Sequence, residues 1–485
     1  MLKVLFVASE AYPFAKTGTL GDFIGALPNA FPKDIDVRVM LPYYDTIPAP
    51  LKNKIQYKHH IYFQMDNTYH YCGIFTCQHF DITYYFIDNE YYFRRPELYG
   101  YFDDGERFSF FSRAVLECLP MIDFIPDIIH CNDWQTAAIP YLLKHQYYAT
   151  YPKTKTVFTI HNIKYQGIQK FENIGDFLHL KSLPLDLEYY GNINLMKGAL
   201  YSADLVTTLS PTYSQELKEP YYGKGLDGVI RNISFKEVGI LGGIDESLYN
   251  PEEDTALFVP FSTLHQTKAE NKKALQQHLG LAIRGDVPMI SMVTDLLKQK
   301  GLELMATVIH EIMLMDLQLV IMGTGDPVYE KLLESIAFNY PAKMVAIIDF
   351  DNTLSRRIYA ASDFILMPSK YEPYGVTQMI AMRYGTVPIV RETGGLKDTV
   401  LNFDSKLNIG NGFTFSNYNA HNMLFTIQKA VALYHNEPEI FDVIVNNAFN
   451  SHFSWEESAQ VYLTHYKNLI DTQPPEVDHE YNSLL

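Results

Sequence analysis

Short apolar runs of four to six residues recur along this chain, each closing in a polar or glycine-bearing loop. They read VLFVAS, VRVMLP, ITYYFID, DIIHCND, VFTIHN and LVTTLS in the first half, then MISMVT, LQLVIMG, MVAIIDF, DFILMPS and TVPIVR in the second. Segments of helical period separate most of them. Uninterrupted apolar strands alternating with helices can bury both strand faces only in a parallel sheet covered on two sides, so the pattern predicts an α/β fold of repeated βα units. A chain of 485 residues exceeds what one such core holds, which predicts two large domains. The two runs of strands are separated by GILGGIDESLYNPEED, rich in Gly, Pro and acid, which places the linker near residues 243–252.

Charge narrows the partners. Thirty-nine basic against 56 acidic residues leave a net charge of −17, which argues against nucleic acid or an anionic membrane and favours a neutral polymer or a small metabolite. Cys72, Cys77, Cys118 and Cys131 show no CxxC spacing, so reduced buried thiols are expected and no metal site. The opening MLKVLFVASE is too short an apolar run for a signal sequence, and no stretch approaches the roughly 20 residues of a membrane helix. A cytoplasmic protein is the expectation. The closing DTQPPEVDHEYNSLL is polar and is expected to be partly disordered.

Chemistry concentrates at loops that follow strands. The block from Asp363 to Val400 reads strand, loop, helix, strand and a Gly-Gly loop opening another helix. Glu372 lies in its first loop, and Gly394 and Gly395 are expected to bare N–H donors in its second. Such loops are where doubly wound folds bind nucleotides. Lys16 to Asp22 (KTGTLGD) places a cation and a glycine turn ahead of a helix, Lys300-Gly301 repeats the arrangement, and Gly323-Thr324-Gly325-Asp326 forms another strand-to-helix turn. His161, Asn162 and Asp133 stand at strand ends, where they could meet sugar hydroxyls. The simpler readings are a plain turn at Lys16, a packed histidine at 161 and a helix cap at Asp133.

Taken in order, KTGTLGD, HCNDWQTA, TIHNIKYQG, LYSADLVTTLSPTY, GLDGVIRN, KQKG, MGTGDP, EPYGVTQ, RYGTVPIV, TGGLKDTV and FSWEES resemble the bacterial glycogen synthases and plant starch synthases over roughly residues 1–465. The resemblance implies a GT-B architecture, with two Rossmann-like doubly wound parallel-sheet domains facing a cleft. Its domains would span 1–245, 246–460 and a helix with a polar tail, 461–485, crossing back to the first. It implies retaining transfer of glucose from ADP-glucose to the non-reducing end of an α-1,4-glucan, with no cofactor and no metal. By motif, Glu372, His161, Lys300 and Asp133 would be catalytic. Lys16, Gly18, Asn162, Lys300, Gly323, Phe350, Tyr374, Gly375 and Thr377 would hold the donor. The partners implied are a nucleotide sugar and a glucan, with no nucleic acid and no membrane; a homo-oligomer or association with a paralogous synthase is the assembly to test.

Departures from the family pattern cluster on the donor side. Thr19 replaces the second glycine of KTGGLAD, Gly242 the Asn of LNGID, Asp295 the Arg of SRLTxQKG, Asp349 a glycine, and Tyr374 the Cys of EPCGLTQ. Reversing a charge about 5 Å from a diphosphate changes the interaction by roughly 3 kcal/mol per unit charge at an effective dielectric near 20. Lys298 is a candidate replacement cation. Two alternatives follow: a catalytically impaired paralogue that binds glucan or regulates a true synthase, and a transferase using a different nucleotide sugar.

Overall fold

The structure, a computed structural model, describes residues 1–66, 68–262 and 264–471, without the side chains of 264–267. Apart from Asp471, the tail expected to be disordered lies outside the described residues. Two compact units emerge. The first holds Met1–Thr208, Leu217–Ile240 and the chain from Trp455 on; the second holds Leu209–Glu216 and Leu241–Ser454.

The first unit carries a nine-stranded sheet. Its strands are β1 (Lys3–Val7), β2 (Asp36–Pro42), β3 (Gln56–Met65), β4 (Thr68–His79), β5 (Ile82–Asp88), β6 (Ile128–Asn132) and β7 (Lys155–Ile160), then, after three short strands, β11 (Leu205–Thr208) and β12 (Glu237–Gly239). The short strands β8 (Ile168–Gln169), β9 (Glu188–Tyr189) and β10 (Asn192–Asn194) form a small antiparallel sheet. The large sheet runs β12-β11-β7-β6-β1-β2-β5-β4-β3. Strand order reverses at β1, so the loops leaving β1 and β6 open side by side.

The parallel sheet expected from the sequence is present from β12 to β5, and an antiparallel edge extends it. β4 pairs antiparallel with both β5 and β3. QYKHHIYFQM is exposed from Gln56 to His60 and TYHYCGIFTCQH at Thr68, Tyr69 and Gln78, so they lack the unbroken apolar run that marks a strand buried on both faces.

The second unit holds six parallel strands: β13 (Met289–Val293), β14 (Gln318–Met322), β15 (Met344–Ile347), β16 (Phe364–Met367), β17 (Val387–Arg391) and β18 (Phe413–Phe415), ordered β15-β14-β13-β16-β17-β18. All five residues of β13, β14 and β17 are buried. The order reverses between β13 and β16, so the loops from Thr294 to Gly301 and from Pro368 to Val376 leave neighbouring strands.

The expected linker is not slack chain. Ile244 donates its N–H to the Phe453 carbonyl at 2.8 Å and bridges Ser454, so residues from 241 on belong to the second unit. Residues 209–216 join it because Asp398 accepts from the Thr212 N–H at 3.1 Å, the Thr212 hydroxyl at 2.6 Å and the Ser210 hydroxyl. The unit boundaries at 240/241 and 454/455 fall within six residues of the expected 245/246 and 460/461.

The helix Trp455–Asp471 packs on the first unit through rings. Trp455 meets Phe23 edge-on at 5.5 Å, Tyr466 stacks on Phe31 at 5.8 Å, and the Tyr466 hydroxyl bonds His130 Nδ1 at 2.6 Å. Burial holds His130 far below the usual histidine range, with neighbouring His161 adding to the effect, so its ring is neutral. Tyr466→Ala is expected to lower stability by about 3–5 kcal/mol, and Tyr466→Phe by about 1–3 kcal/mol through the stranded His130 nitrogen. Urea unfolding followed by circular dichroism reads both values.

Candidate active site

In the second unit Glu372 and Lys300 come together from loops of adjacent strands. Lys300 sits at the turn before the helix Leu302–Leu314, where Gly301 adopts φ +84°. Its ammonium donates to Glu372 Oε2 at 2.7 Å, and the Ser369 hydroxyl donates to the same oxygen at 3.0 Å. Glu372 is buried. Burial opposes the Lys300 charge, yet the Glu372 carboxylate, and after it Asp295, raise its proton affinity above the ordinary lysine value. The ammonium therefore stays charged at neutral pH.

The Gly-Gly loop plays another part than the one expected. The Gly394 N–H is directed at Glu216 Oε2 at 3.2 Å, the Thr393 hydroxyl donates to Glu216 Oε1 at 2.8 Å, and the Gly395 N–H bonds the Glu372 carbonyl at 3.1 Å. A Cβ on Gly394 would lie 1.9 Å from the Glu372 carbonyl oxygen, and one on Gly395 1.6 Å from that of Tyr374. These glycines admit the Glu372 backbone rather than offer bare donors to a phosphate.

In the first unit the KTGTLGD donors are likewise engaged. Buried Glu10 accepts from the Thr17 N–H at 2.6 Å, the Thr17 hydroxyl at 2.7 Å, the Gly18 N–H at 3.2 Å and the Tyr99 hydroxyl at 2.8 Å. Lys16 pairs with Asp22 at 2.7 Å, with both side chains near 40% exposed. Lys16 is the group of this loop that remains available to an anion.

Asp133, His161 and Asn162 gather at the mouths of β6 and β7. Asp133 adopts φ +57°, a strained value for a residue with a side chain, and its Oδ1 accepts the N–H groups of His161 at 2.8 Å and Asn162 at 3.3 Å. It holds this turn and does not cap the next helix through its side chain. The Asn132 amide donates to the carbonyls of Val7 and His130, so its oxygen faces His161 Nε2 at 3.0 Å. His161 Nε2 is thereby the protonated nitrogen, and buried Nδ1, with no hydrogen-bond partner among the described residues, keeps its lone pair.

The remaining donor-side positions separate by exposure. Gly323 ends β14 against the Thr294 backbone, while Gly375 and Thr377 lead into the helix Thr377–Arg383. Phe350 is 57% exposed, its N–H bonded to Asp349 Oδ1 at 2.7 Å. Thr19 is exposed and opens the helix Thr19–Ala26, so its extra carbon meets no packing penalty. Asp295 is exposed too, which weakens the charge-reversal figure through solvent screening. Lys298, the candidate replacement cation, pairs with Glu303 at 2.8 Å with its side chain 64% exposed. The departures at 242 and 374 are one contact: the Tyr374 ring fills the space beside Gly242.

Ser369, Glu10, Asn132 and Glu216 belong to these loops and were not anticipated. Glu10 carried a legible signal, a carboxylate directly behind a buried strand and ahead of the KTG turn. Asn132 had only its place beside Asp133. Glu216 had none, because its partner Thr393 lies 177 residues away.

Asp133 and His161 oppose one another. Burial lifts the Asp133 carboxyl to about 7 against the two backbone donors, and burial pushes His161 down to about 3. Native Asp133 keeps a proton that the unfolded chain releases above about pH 4, so its contribution to stability falls as pH rises from about 4 to about 7. His161 works in reverse from about pH 3 to 6.5, since there the unfolded chain binds the extra proton. Asp133→Asn removes one side of this balance. Relative to the unsubstituted protein, the variant is expected to gain stability by of order 1 kcal/mol per pH unit between pH 4 and 7, with no further change above; melting temperatures across that range check it.

Comparison with known proteins agrees along the whole chain. A family model described as the starch synthase catalytic domain matches residues 3–232, and one for glycosyl transferases group 1 matches residues 276–442. The glycogen synthase of Anoxybacillus flavithermus is 50% identical over 476 residues, covering 97% of this chain and 98% of that protein. That of Alkaliphilus metalliredigens is 49% identical over 475 residues, covering 96% and 100%. Among solved structures, the catalytic domain of starch synthase IV from Arabidopsis thaliana, bound to ADP and acarbose, aligns with a TM-score of 0.88 at 33% identity, covering 97% of this chain and 99% of that one. Sucrose-phosphate synthase from Thermosynechococcus elongatus, at 16% identity and a TM-score of 0.62, shares the fold. This likeness supports glucosyl transfer and lends nothing to an impaired or donor-altered derivative. The chain belongs to the glycogen and starch synthase family of glycosyltransferases, with the two-domain GT-B fold.

Proposed function

We propose that this protein transfers glucose from ADP-glucose to the non-reducing end of an α-1,4-glucan with retention of configuration. The Glu372–Lys300 pair at the mouths of β13 and β16 carries this reading, in a chain about half identical to glycogen synthases along its length. The ADP and acarbose held by the Arabidopsis starch synthase support an adenine nucleotide and a glucan-like acceptor.

As the glycosidic C1–O bond to the diphosphate breaks, negative charge grows on the leaving oxygen and positive charge at the anomeric carbon. Lys300, kept cationic by its surroundings, stabilises the first. Glu372 carries the negative charge suited to the second. The acceptor 4-hydroxyl attacks from the face the diphosphate leaves, and its proton passes to the departing phosphate oxygen, so configuration is retained without a second carboxylate. In the first unit His161 stays neutral and keeps a lone pair on buried Nδ1. Asp133 and Asn162 fix the turn that presents it, while Gly375, Thr377 and the exposed Phe350 serve the glucose, phosphate and base.

The proposed reaction uses no metal or organic cofactor and takes place in the cytoplasm; among the described residues no helix is long and apolar enough to cross a membrane. The homo-oligomer or paralogue complex expected from the sequence is read by light scattering with and without such a partner.

Incorporation of labelled glucose into glycogen, from ADP-glucose and from UDP-glucose, tests the reading. Transfer from ADP-glucose is expected, with Glu372→Gln lowering kcat at least about 100-fold. No incorporation from either donor, with glycogen binding intact, would overturn it. Asp295→Arg is expected to lower the KM for ADP-glucose between about threefold and tenfold, a modest gain because the site is exposed.

A further inference from the structure

The loop that carries Glu372 is gripped from three sides within the second unit. Lys300 and Ser369 hold the carboxylate, and Gly394 with Gly395 receives the backbone. The third grip is Tyr374, which is 3% exposed and donates its phenol to the Gly243 carbonyl. A Cβ built on Gly242 would lie 2.7 Å from Cε2, Cζ and the hydroxyl oxygen of Tyr374, well inside the 3.4–4 Å of ordinary contact. The ring has little freedom to yield. Its hydroxyl is tied to Gly243 at one end, and at the other the Tyr374 carbonyl sits where a side chain on Gly395 would be.

We propose that Tyr374 is a positioning residue for Glu372 and that Gly242 is the other half of the same clasp, a glycine because the ring occupies its side-chain space. Only Pro373 separates Tyr374 from Glu372, so a displaced ring turns the backbone that aims the carboxylate. Residues 242 and 374 are therefore one determinant of catalysis, and a side chain at 242 is tolerated only once the ring at 374 is gone. This deepens the glucosyltransferase reading and rests on it.

A four-protein cycle of wild type, Gly242→Ala, Tyr374→Cys and the double variant tests the clasp, with kcat and KM measured for ADP-glucose. Gly242→Ala is expected to lower kcat about 100-fold with KM changed less than about threefold, because the misplaced group acts in the transition state. Tyr374→Cys is expected to cost about tenfold. Once the ring is gone, adding Gly242→Ala costs less than about threefold more. Equal cost of Gly242→Ala with and without the ring, or kcat unchanged in both single variants, overturns the proposal. Should Gly242→Ala fail to fold while the double variant folds, the steric half stands. Tyr374→Phe then reads the positioning half, with about a tenfold loss of kcat at constant KM expected and an unchanged kcat overturning it. A wild type that transfers no glucose overturns the functional reading and with it the positioning role. The contact is then judged by melting temperatures of the same four proteins, and additive shifts overturn that too.

Discussion

Reversal of strand order between β13 and β16 is the constraint on which the second unit's chemistry depends. Parallel strands must send each connection back across a face, and at the reversal two successive connections leave in opposite directions. The space between them is lined by loops that need not bury a helix. Lys300 and Glu372 occupy those two loops and meet at 2.7 Å. A buried ion pair of this kind adds little net stability, since desolvation offsets most of the attraction. Its consequence is chemical: an ammonium that holds its proton in a low-dielectric setting, beside a carboxylate whose position is set by Ser369 and the backbone beneath it.

Carboxylates at helix starts change how the glycine loops are understood. Glu10 takes the Thr17 and Gly18 donors before the helix Thr19–Ala26, and Glu216 takes Gly394 and the Thr393 hydroxyl before the helix Gly394–Thr399. Helix-start donors attract anions from any source, and here the chain supplies its own. Recognition of a diphosphate then falls more heavily on mobile cations. Asp295 fits this picture better than the charge reversal suggested, for it is exposed and adds to the field that keeps Lys300 protonated.

Much of the fold was legible because buried parallel strands announce themselves: every apolar run singled out in the sequence lies on a strand of one of the two large sheets. The β3–β4 hairpin escaped because strands rich in Tyr, His and other polar residues, with long exposed stretches, carry no unbroken apolar run. The site was legible as a set of residue types at strand mouths, with Glu372, Lys300, His161 and Asp133 all placed there. Their partners were less so. Glu10 could be found by its position, but Glu216 and the Tyr374–Gly242 contact join segments more than a hundred residues apart.

The sequence by itself determined the α/β class, the order of the strands along the chain and the family, because periodicity and local motifs act over a few residues and survive in one dimension. It also listed the departures at 19, 242, 295, 349 and 374, without relating them to one another. Only the tertiary structure decided that 242 and 374 are a single contact, that Lys298 pairs with Glu303, and that both glycine loops are occupied by the protein's own carboxylates. The physical reason is the same in each case. Steric exclusion and short-range electrostatics depend on distances of a few ångströms, and those are set by how the sheet brings remote loops together.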